Sequence, residues 1–270
     1  MTDSIKKYGR WALVAGAGSG IGAAYCHELA SRGFHVFMID KNLERLKLLQ
    51  SKFESENQNQ TDYLHLDLGA PNLETHLHPV LDRYDFGLMI YNAAYGPVRK
   101  FEFNTIDQLN EHINVNCRGP LIFASLFQKS VKSKERLGGM IIMTSLAALQ
   151  GAPLIAPYAA TKAFDLVLGE SLYHELKKDG IDVLTCIAGA TKTENYIKTK
   201  PDYGILKPSE HEPQRVAREA LSQIGKKPYH IVGRRNRLTA FIFQRILGRK
   251  LASTIMSSQM KSIYKAQWNQ

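Results

Sequence analysis

Long apolar runs are missing from this sequence, and cysteines are few. No stretch of the 270 residues approaches the roughly 20 apolar residues that a membrane-spanning helix needs. The opening residues lack the apolar core of a secretory signal, so we expect neither a membrane span nor a signal peptide. The three cysteines, Cys26, Cys117 and Cys186, are odd in number and widely spaced, which argues against a disulfide framework. We therefore expect reduced thiols in a cytoplasmic protein, with the sequon at Asn59 unmodified.

Acidic residues are absent from the last part of the chain. Between Ala220 and Gln270 there are ten lysines and arginines, which equal the whole net charge of +10. Residues 234–250 combine arginines with a stripe of Phe, Ile and Leu. Such a segment is either a basic amphipathic helix in peripheral contact with an anionic membrane, or a terminal helix packed on the body or on a second subunit, which is the commoner use of an apolar stripe. No nucleic-acid partner is expected, because the chain offers no recognition module.

Segments typical of strands and of helices alternate along the rest of the chain. Apolar runs of strand length occupy 11–15, 35–39, 62–66, 87–91, 140–144, 182–187 and 229–232, and helical periodicity occupies 21–31, 43–54, 106–132 and 158–178. This alternation predicts βαβ units and a sheet covered by helices on both faces. The predicted fold is α/β, a doubly wound Rossmann type with a mostly parallel seven-stranded sheet. We expect one such domain over 1–233 and a basic helical extension over 234–270.

A glycine-rich loop, with glycine at 16, 18, 20 and 22, follows the first predicted strand. Glycines let the backbone turn tightly and approach a ligand, and the N-terminus of the next helix favours a pyrophosphate. The strict dinucleotide fingerprint fits on Gly18, Gly20 and Ala23. A turn without a ligand is the alternative, but Asp40 at the end of the second strand favours a dinucleotide site. A phosphate-only loop is not expected, because no Lys-Ser/Thr pair follows the glycines.

Tyr158 and Lys162 lie four residues apart at the start of a predicted helix, which places them on one face. They are either a half-buried aromatic with a solvated lysine, or a proton donor with the cation that acidifies it. A free phenol has a pKa of about 10, too high for efficient proton exchange near neutrality, and a nearby ammonium favours the phenolate. Such a pair occurs by chance in many helices, so the choice between these two interpretations depends on the other motifs in the sequence.

Motifs in a fixed order support the proton donor. They are Ala15-Gly16 with Gly20-Ile21-Gly22, Asp67, Tyr91-Asn92-Ala93-Ala94, Val115-Asn116-Cys117-Arg118-Gly119, Thr144-Ser145, Tyr158 with Lys162, and Ala188-Gly189-Ala190-Thr191-Lys192-Thr193. From about Arg10 to Thr193 the chain resembles a short-chain dehydrogenase/reductase of compact single-domain type, in the branch of ketoacyl reductases and hydroxysteroid dehydrogenases. It departs from that family's motifs in the cofactor loops, at Ala15, Tyr91, Ala94 and Ala188.

The resemblance implies roles for particular residues. Tyr158 would be the general acid/base, and Lys162 would also hold the nicotinamide ribose. Ser145 would bind the substrate oxygen, and Asn116 would bind a water that links Lys162 to solvent. The cofactor would lie against Gly16, Ser19, Gly20, Ile21, Gly22, Asp40, Asp67, Leu68, Asn92, Ala93, Tyr158, Lys162, Thr191 and Thr193. The family resemblance also implies a homodimer or a homotetramer.

The cofactor and the substrate class follow from a few positions. The Asp40 carboxylate favours NAD(H), because it accepts from both ribose hydroxyls and repels a 2′-phosphate. NADP(H) stays the alternative, since Lys41 follows directly. The segments expected to wall the substrate, 95–98, 147–151, 153–156 and 194–208, are mostly apolar. We therefore expect a nicotinamide-dependent oxidoreductase that acts on a hydrophobic ketone or secondary alcohol, of steroid or fatty-acyl kind.

Other functions fit parts of the sequence. A catalytically silent dinucleotide sensor or scaffold would share the fold without needing Ser145, Tyr158 and Lys162. A sugar-nucleotide epimerase shares the tyrosine and lysine pair but needs a larger substrate domain than follows Thr193. No metal is expected, because the closest histidine pair, His76 and His78, lies in a predicted loop without a cysteine or carboxylate cluster.

Overall fold

Strands and helices alternate in the computed structural model, which describes residues 3–56, 59–203 and 208–270. The strands are β1 (Trp11–Ala15), β2 (His35–Asp40), β3 (Thr61–His65), β4 (Phe86–Tyr91), β5 (Gly138–Ser145), β6 (Ile181–Ala188) and β7 (Tyr229–Ile231). The helices are α1 (Asp3–Tyr8), α2 (Gly20–Ser31), α3 (Leu43–Glu56), α4 (Leu73–Arg83), α5 (Ile106–Ile113), α6 (Gly119–Ser133), α7 (Ala156–Leu176), α8 (Glu194–Lys198), α9 (Pro213–Gln223), α10 (Arg234–Phe241), α11 (Arg249–Ile263) and α12 (Lys265–Trp268). Each predicted strand is present, with bounds that differ by at most two residues.

The strands form one sheet in the order β3-β2-β1-β4-β5-β6-β7. Every neighbouring pair is parallel, so the predicted α/β fold is confirmed and the sheet is parallel throughout. The chain runs outward from β1 to β3 and then returns to β4 on the other side of β1. At such a switch point, the loops at the carboxyl ends of the two central strands turn apart and leave a crevice for a ligand.

Helices cover both faces of the sheet, which is why its strands read as continuous apolar runs. All positions of β4 are buried, and so are the last four of β1. Side chains point alternately to the two faces: Val14 and Met38 belong to one apolar cluster, Leu13 and Ile39 to the other. The two clusters fix the sheet between two helical layers.

Helix α7 carries Tyr158 and Lys162 and packs against β5 and β6. Its contact with β6 is close at Gly169, where an added Cβ would lie 2.0 Å from Thr185 Oγ1. At the end of β5, Thr144 Oγ1 donates to Lys162 O at 2.6 Å. The first turns of α7 are thereby fixed at the carboxyl edge of the sheet.

One prediction of local structure is wrong, and another lacks a detail that the structure adds. The helix predicted over 106–132 is interrupted by a π turn, Asn114–Arg118, between α5 and α6. Hydrophobic periodicity does not reveal one inserted residue within so long an apolar pattern. The loop predicted around His76 and His78 is helix α4, which buries Leu73, Leu77 and Leu81 along one side. Sequence analysis did not predict this helix because it contains Pro79, and proline normally breaks helices.

The basic C-terminal residues form α10, α11 and α12 and contact the body at both ends. Asn236 Nδ2 donates to Val232 O at 2.9 Å and lies 3.2 Å from His211 Nε2. Farther on, Tyr264 Oη lies 3.1 Å from Thr199 Oγ1. The division at residue 233 stays a prediction. Within the described ranges, no helix is both long and apolar enough to span a bilayer.

Candidate active site

Backbone atoms leave no room for a side chain at two positions of the glycine loop between β1 and α2. Gly16 has a φ of +79°, and an added Cβ would lie 2.7 Å from Ala93 N. At Gly22 it would lie 1.8 Å from Gly16 O. The backbone can therefore approach a pyrophosphate closely, and the N-terminus of α2, which follows Ser19, supplies free N–H groups and a positive dipole end. These features fit a dinucleotide.

Asp40 stands beside this loop at the end of β2. Its carboxylate accepts from Gly18 N at 2.8 Å and from Asn42 N at 3.0 Å, so its position is fixed by the backbone. The neighbouring Lys41 is exposed and lies 3.4 Å from Glu111 Oε1. A carboxylate with a fixed position therefore stands beside the glycine loop, and the adjacent lysine has an acidic neighbour.

Some of the other predicted cofactor residues reach the glycine loop, and some do not. Asn92 Nδ2 donates to Gly16 O at 2.9 Å, and Ala93 N donates to Ala15 O. The Thr193 methyl group would lie 2.8 Å from a Cβ added at Gly20.

Three predicted residues have partners elsewhere. Asp67 is exposed and accepts from Gly69 N at 2.8 Å. Leu68 is only 5% exposed within an apolar cluster, so its backbone alone could contact a cofactor. Thr191 is buried and donates to Gly189 O. None of these contacts by itself indicates a ligand.

Asn116 lies fully buried in the π turn and joins two parts of the site. Its Oδ1 accepts from Tyr95 N at 2.7 Å, and its Nδ2 donates to Tyr95 O at 2.8 Å and to Thr161 Oγ1 at 2.9 Å. Turns of π geometry are frequent at functional sites. Asn116 thus fixes the loop after β4 to α7, while its predicted role as a water ligand stays a prediction.

Ser145 and Tyr158 lie on either side of the segment that joins β5 to α7. Ser145 Oγ accepts from Ala147 N at 3.2 Å, so the hydroxyl caps the following turn. Capping uses its oxygen, and the hydroxyl proton can still be donated to a substrate oxygen. Tyr158 is half-buried in the first turn of α7, and its ring lies so close to Gly96 that an added Cβ there would meet it at 2.5 Å.

Lys162 is 2% exposed and makes two hydrogen bonds. Its Nζ donates to Met143 O at 2.8 Å and to Asp165 Oδ2 at 2.8 Å. Burial opposes the charge of Lys162, but Asp165 and then Tyr158 outweigh it, and the pKa of Lys162 is raised above its usual value. Burial raises the pKa of Asp165, and Lys162 opposes that rise. We infer an ion pair at neutral pH.

Comparison with known families shows to which family the chain belongs. The family model described as short chain dehydrogenase matches residues 10–204. The chain belongs to the short-chain dehydrogenase family. The family predicted from the motifs is confirmed, and the protein is an oxidoreductase.

Relatives of this short-chain dehydrogenase include hydroxysteroid dehydrogenases. A 7beta-hydroxysteroid dehydrogenase from Clostridium sardiniense is 30% identical over 238 residues, 86% of this chain and 88% of that protein. A solved 7beta-hydroxysteroid dehydrogenase is similar with a TM-score of 0.86 and 25% identity, over 94% of this chain and 99% of that one. A short-chain dehydrogenase from Sphingobium yanoikuyae, solved with NADPH, has a TM-score of 0.74 and 25% identity over 83% and 86% of the two chains. Since the match over 94% extends past residue 233, part of the C-terminal segment belongs to the shared structure.

Sequence reasoning did not assign the contacts that three residues make around these side chains, although Gly96 lies in the wall predicted over 95–98. Asp165 is the ion-pair partner of Lys162, Thr161 holds Asn116, and Gly96 makes room for the Tyr158 ring. An acidic residue one helical turn after a lysine was a visible signal for Asp165, but its burial was not.

No metal site is formed by the described residues. They contain no group of three or more His, Cys, Asp or Glu side chains that could hold a metal ion. His76 and His78 are two residues apart on α4, which directs them to different sides of the helix. The three cysteines are free.

We predict that Asn116→Ala destabilises the protein. The substitution leaves Tyr95 N, Tyr95 O and Thr161 Oγ1 without their buried partner, and one such loss costs about 1–3 kcal/mol. Urea unfolding should show a lower midpoint than for the wild type. Asn110→Ala, on an exposed position of α5, is the matched control and should leave the midpoint nearly unchanged. Equal midpoints for the two variants would contradict the assignment of Asn116.

Proposed function

We propose that this dehydrogenase transfers a hydride between a nicotinamide cofactor and a hydrophobic ketone or secondary alcohol of steroid or fatty-acyl kind, with Tyr158 as general acid/base. The observation that carries the proposal is the position of Ser145, Tyr158 and Lys162 around the junction of β5 and α7. Lys162 Nζ bonds to Met143 O, two residues before Ser145. Family membership and the hydroxysteroid dehydrogenase relatives support the class of reaction.

The three side chains would divide the proton chemistry among them. A nicotinamide bound at the glycine loop would supply or accept the hydride. In the direction of reduction, the Ser145 hydroxyl holds the carbonyl oxygen and Tyr158 gives it a proton. The Lys162 ammonium stabilises the phenolate that remains on Tyr158. In the direction of oxidation, the same phenolate takes the proton from the alcohol.

An apolar substrate is supported by the segments around Tyr158. Arg99 N donates to Leu154 O at 2.8 Å, which holds the predicted walls 95–98 and 153–156 side by side. In the wall predicted over 194–208, Ile197 on α8 is 62% exposed. Residues 204–207 of that wall lie outside the described residues. An exposed apolar side chain next to the loop of Thr193 favours a hydrophobic ligand.

NAD(H) is the cofactor that the charges favour. The Asp40 carboxylate is fixed by Gly18 N and Asn42 N, and a 2′-phosphate there would be repelled. The two nearby cations have acidic neighbours, Lys41 with Glu111 and Arg45 with Glu194. NADP(H) stays the alternative, because Lys41 is flexible enough at the surface to change partner.

A homodimer or homotetramer is supported by an exposed apolar face. Ile113, Leu121, Phe164 and Val167 are between 36% and 62% exposed. They belong to α5, α6 and α7, and α5 packs next to α7. A contact between copies would remove these side chains from water.

The basic C-terminal segment offers a second exposed surface. Leu238, Phe241, Ile246 and Leu251 are more than half exposed, whereas Ala240 and Ala252 are buried against the protein. Packing on the body therefore covers only part of the stripe, and the rest is available to an anionic membrane or to a second subunit. Co-sedimentation of the full chain with phosphatidylserine vesicles distinguishes the two. We infer a cytoplasmic location from the three free cysteines.

We predict that Tyr158→Phe loses about 100-fold or more in turnover, the usual contribution of a general acid/base. A panel of hydrophobic alcohols and ketones, followed by nicotinamide absorbance, measures this loss. NADH binding should be unchanged, and Tyr173→Phe, farther along α7, is the control. If wild type and variant were equally inert toward every compound while both bound NADH, a silent dinucleotide sensor would be the better description.

We predict that Asp40→Asn changes the cofactor preference in favour of NADPH by about tenfold, equivalent to about 1.4 kcal/mol. The amide keeps an acceptor for Gly18 N but removes the charge that repels a 2′-phosphate. Fluorescence titrations with NADH and NADPH give the ratio of affinities. Asp82→Asn, exposed on α4, should leave the ratio unchanged. Tighter binding of NADPH than of NADH by the wild type would show the inference from Asp40 to be wrong.

We predict that Val167→Glu dissociates the oligomer, because it places a charge in the exposed apolar face. Multi-angle light scattering should give the mass of two or four chains for the wild type and of one chain for the variant. Leu48→Glu, on a somewhat more exposed position of α3, should keep the wild-type mass. A monomeric wild type would refute this assignment of the face.

A further inference from the structure

Asp165 is a buried acidic residue to which the proposed reaction assigns no role. It lies on α7 one turn after Lys162 and is 0% exposed. Its Oδ2 accepts from Lys162 Nζ at 2.8 Å, and its Oδ1 makes no hydrogen bond to any described residue. A buried carboxylate is costly unless it is paired, so Lys162 is what keeps Asp165 ionised.

Lys162 in turn depends on Asp165 to keep its proton. An ammonium has three N–H donors, and Lys162 uses two of them on Met143 O and Asp165 Oδ2. These bonds anchor the amine between β5 and α7 and leave one donor for Tyr158 or for a ribose hydroxyl. A buried lysine without an anion beside it tends to lose its proton, and the neutral amine could not stabilise a phenolate.

The other titratable and charged groups around the pair do not replace Asp165. The π turn contributes Cys117, whose pKa burial raises to about 11, and Arg118, whose guanidinium donates to Gly69 O and Ala70 O. On β4, burial and then Asp165 raise the pKa of Tyr91 well above its usual value, Arg118 opposes the rise, and Asp67 adds to it. On α5, His112 faces Tyr95 and Arg99. Asp165 is therefore the anion in direct contact with Lys162, and Tyr158 is a second group that acts on the same ammonium.

We propose that Asp165 is a positioning residue that holds the Lys162 ammonium in place and sets the pH range in which the site can move a proton. The proposal rests on the proposed function, since it assigns Asp165 a role through Lys162 and Tyr158. Its sign follows from electrostatics: a nearby anion favours the protonated form of every neighbouring group. Removing it lowers the pH at which Lys162 loses its proton, and above that pH no ammonium remains to stabilise a phenolate on Tyr158. Replacing a residue that only filled space would leave the titration of Lys162 unchanged.

The first test needs no substrate. In protein labelled with ¹³C at the lysine Cε, the Lys162 resonance is assigned by its loss in Lys162→Met and is followed against pH. We expect it to stay protonated above the pH at which an ordinary lysine titrates in the wild type, and to titrate about one pH unit or more lower in Asp165→Asn. Asp107→Asn, exposed on α5, is the control and should match the wild type. A wild-type Lys162 that titrates at lower pH than an ordinary lysine overturns the proposal even if the variant does not fold.

The second test uses the pH profile of alcohol oxidation with whichever compound of the panel is turned over. We expect the alkaline limb of the kcat/KM profile, where Lys162 loses its proton, to move to lower pH in Asp165→Asn, and Asp165→Glu to restore the wild-type limb. A uniform loss of rate without displacement overturns the proposal and leaves the dehydrogenase function intact. If no compound is turned over, the proposed substrate class fails, and the lysine titration still decides the role of Asp165.

Discussion

The common direction of the strands is the constraint on which the site depends. In a parallel sheet all carboxyl ends lie at one edge, so β1, β2, β4 and β5 bring the glycine loop, Asp40, Asn92 and Ser145 together there. Residues far apart in sequence become neighbours without long connecting loops. The helix after β5 then needs only its first two turns to add Tyr158 and Lys162. The topology of the sheet therefore determines where the site lies, and the side chains on the loops determine its chemistry.

Much of this was readable from the sequence because it rests on local patterns. Buried parallel strands are continuous apolar runs, and those runs predicted every strand of the sheet. Glycines mark backbone that lacks space for a Cβ, and Gly16 and Gly22 are such positions. The order of Asn116, Ser145, Tyr158 and Lys162 gave the family that the comparisons confirmed.

What the sequence did not show depends on contacts between distant segments. Whether a carboxylate is buried is not a property of its local pattern, so the pairing of Asp165 with Lys162 appeared only in three dimensions. The same holds for Asn116, whose hydrogen bonds join a loop and a helix from different parts of the chain. Helix α4 was hidden for another reason, since Pro79 outweighs the leucine pattern in a local reading.

The π turn at Asn114–Arg118 has a consequence for how this helical stretch can change length. Successive residues of an α-helix are separated by about 100° around the axis, and a π turn takes up one extra residue through its wider i→i+5 hydrogen bonds. Deleting one residue from the turn would let these bonds close to α spacing, so α6 would keep its phase and Phe123 and Phe127 would stay in the core. The deletion would instead remove the turn that places Asn116 against Tyr95 and Thr161. The position of Asn116, more than the packing of α6, therefore fixes the number of residues in this stretch.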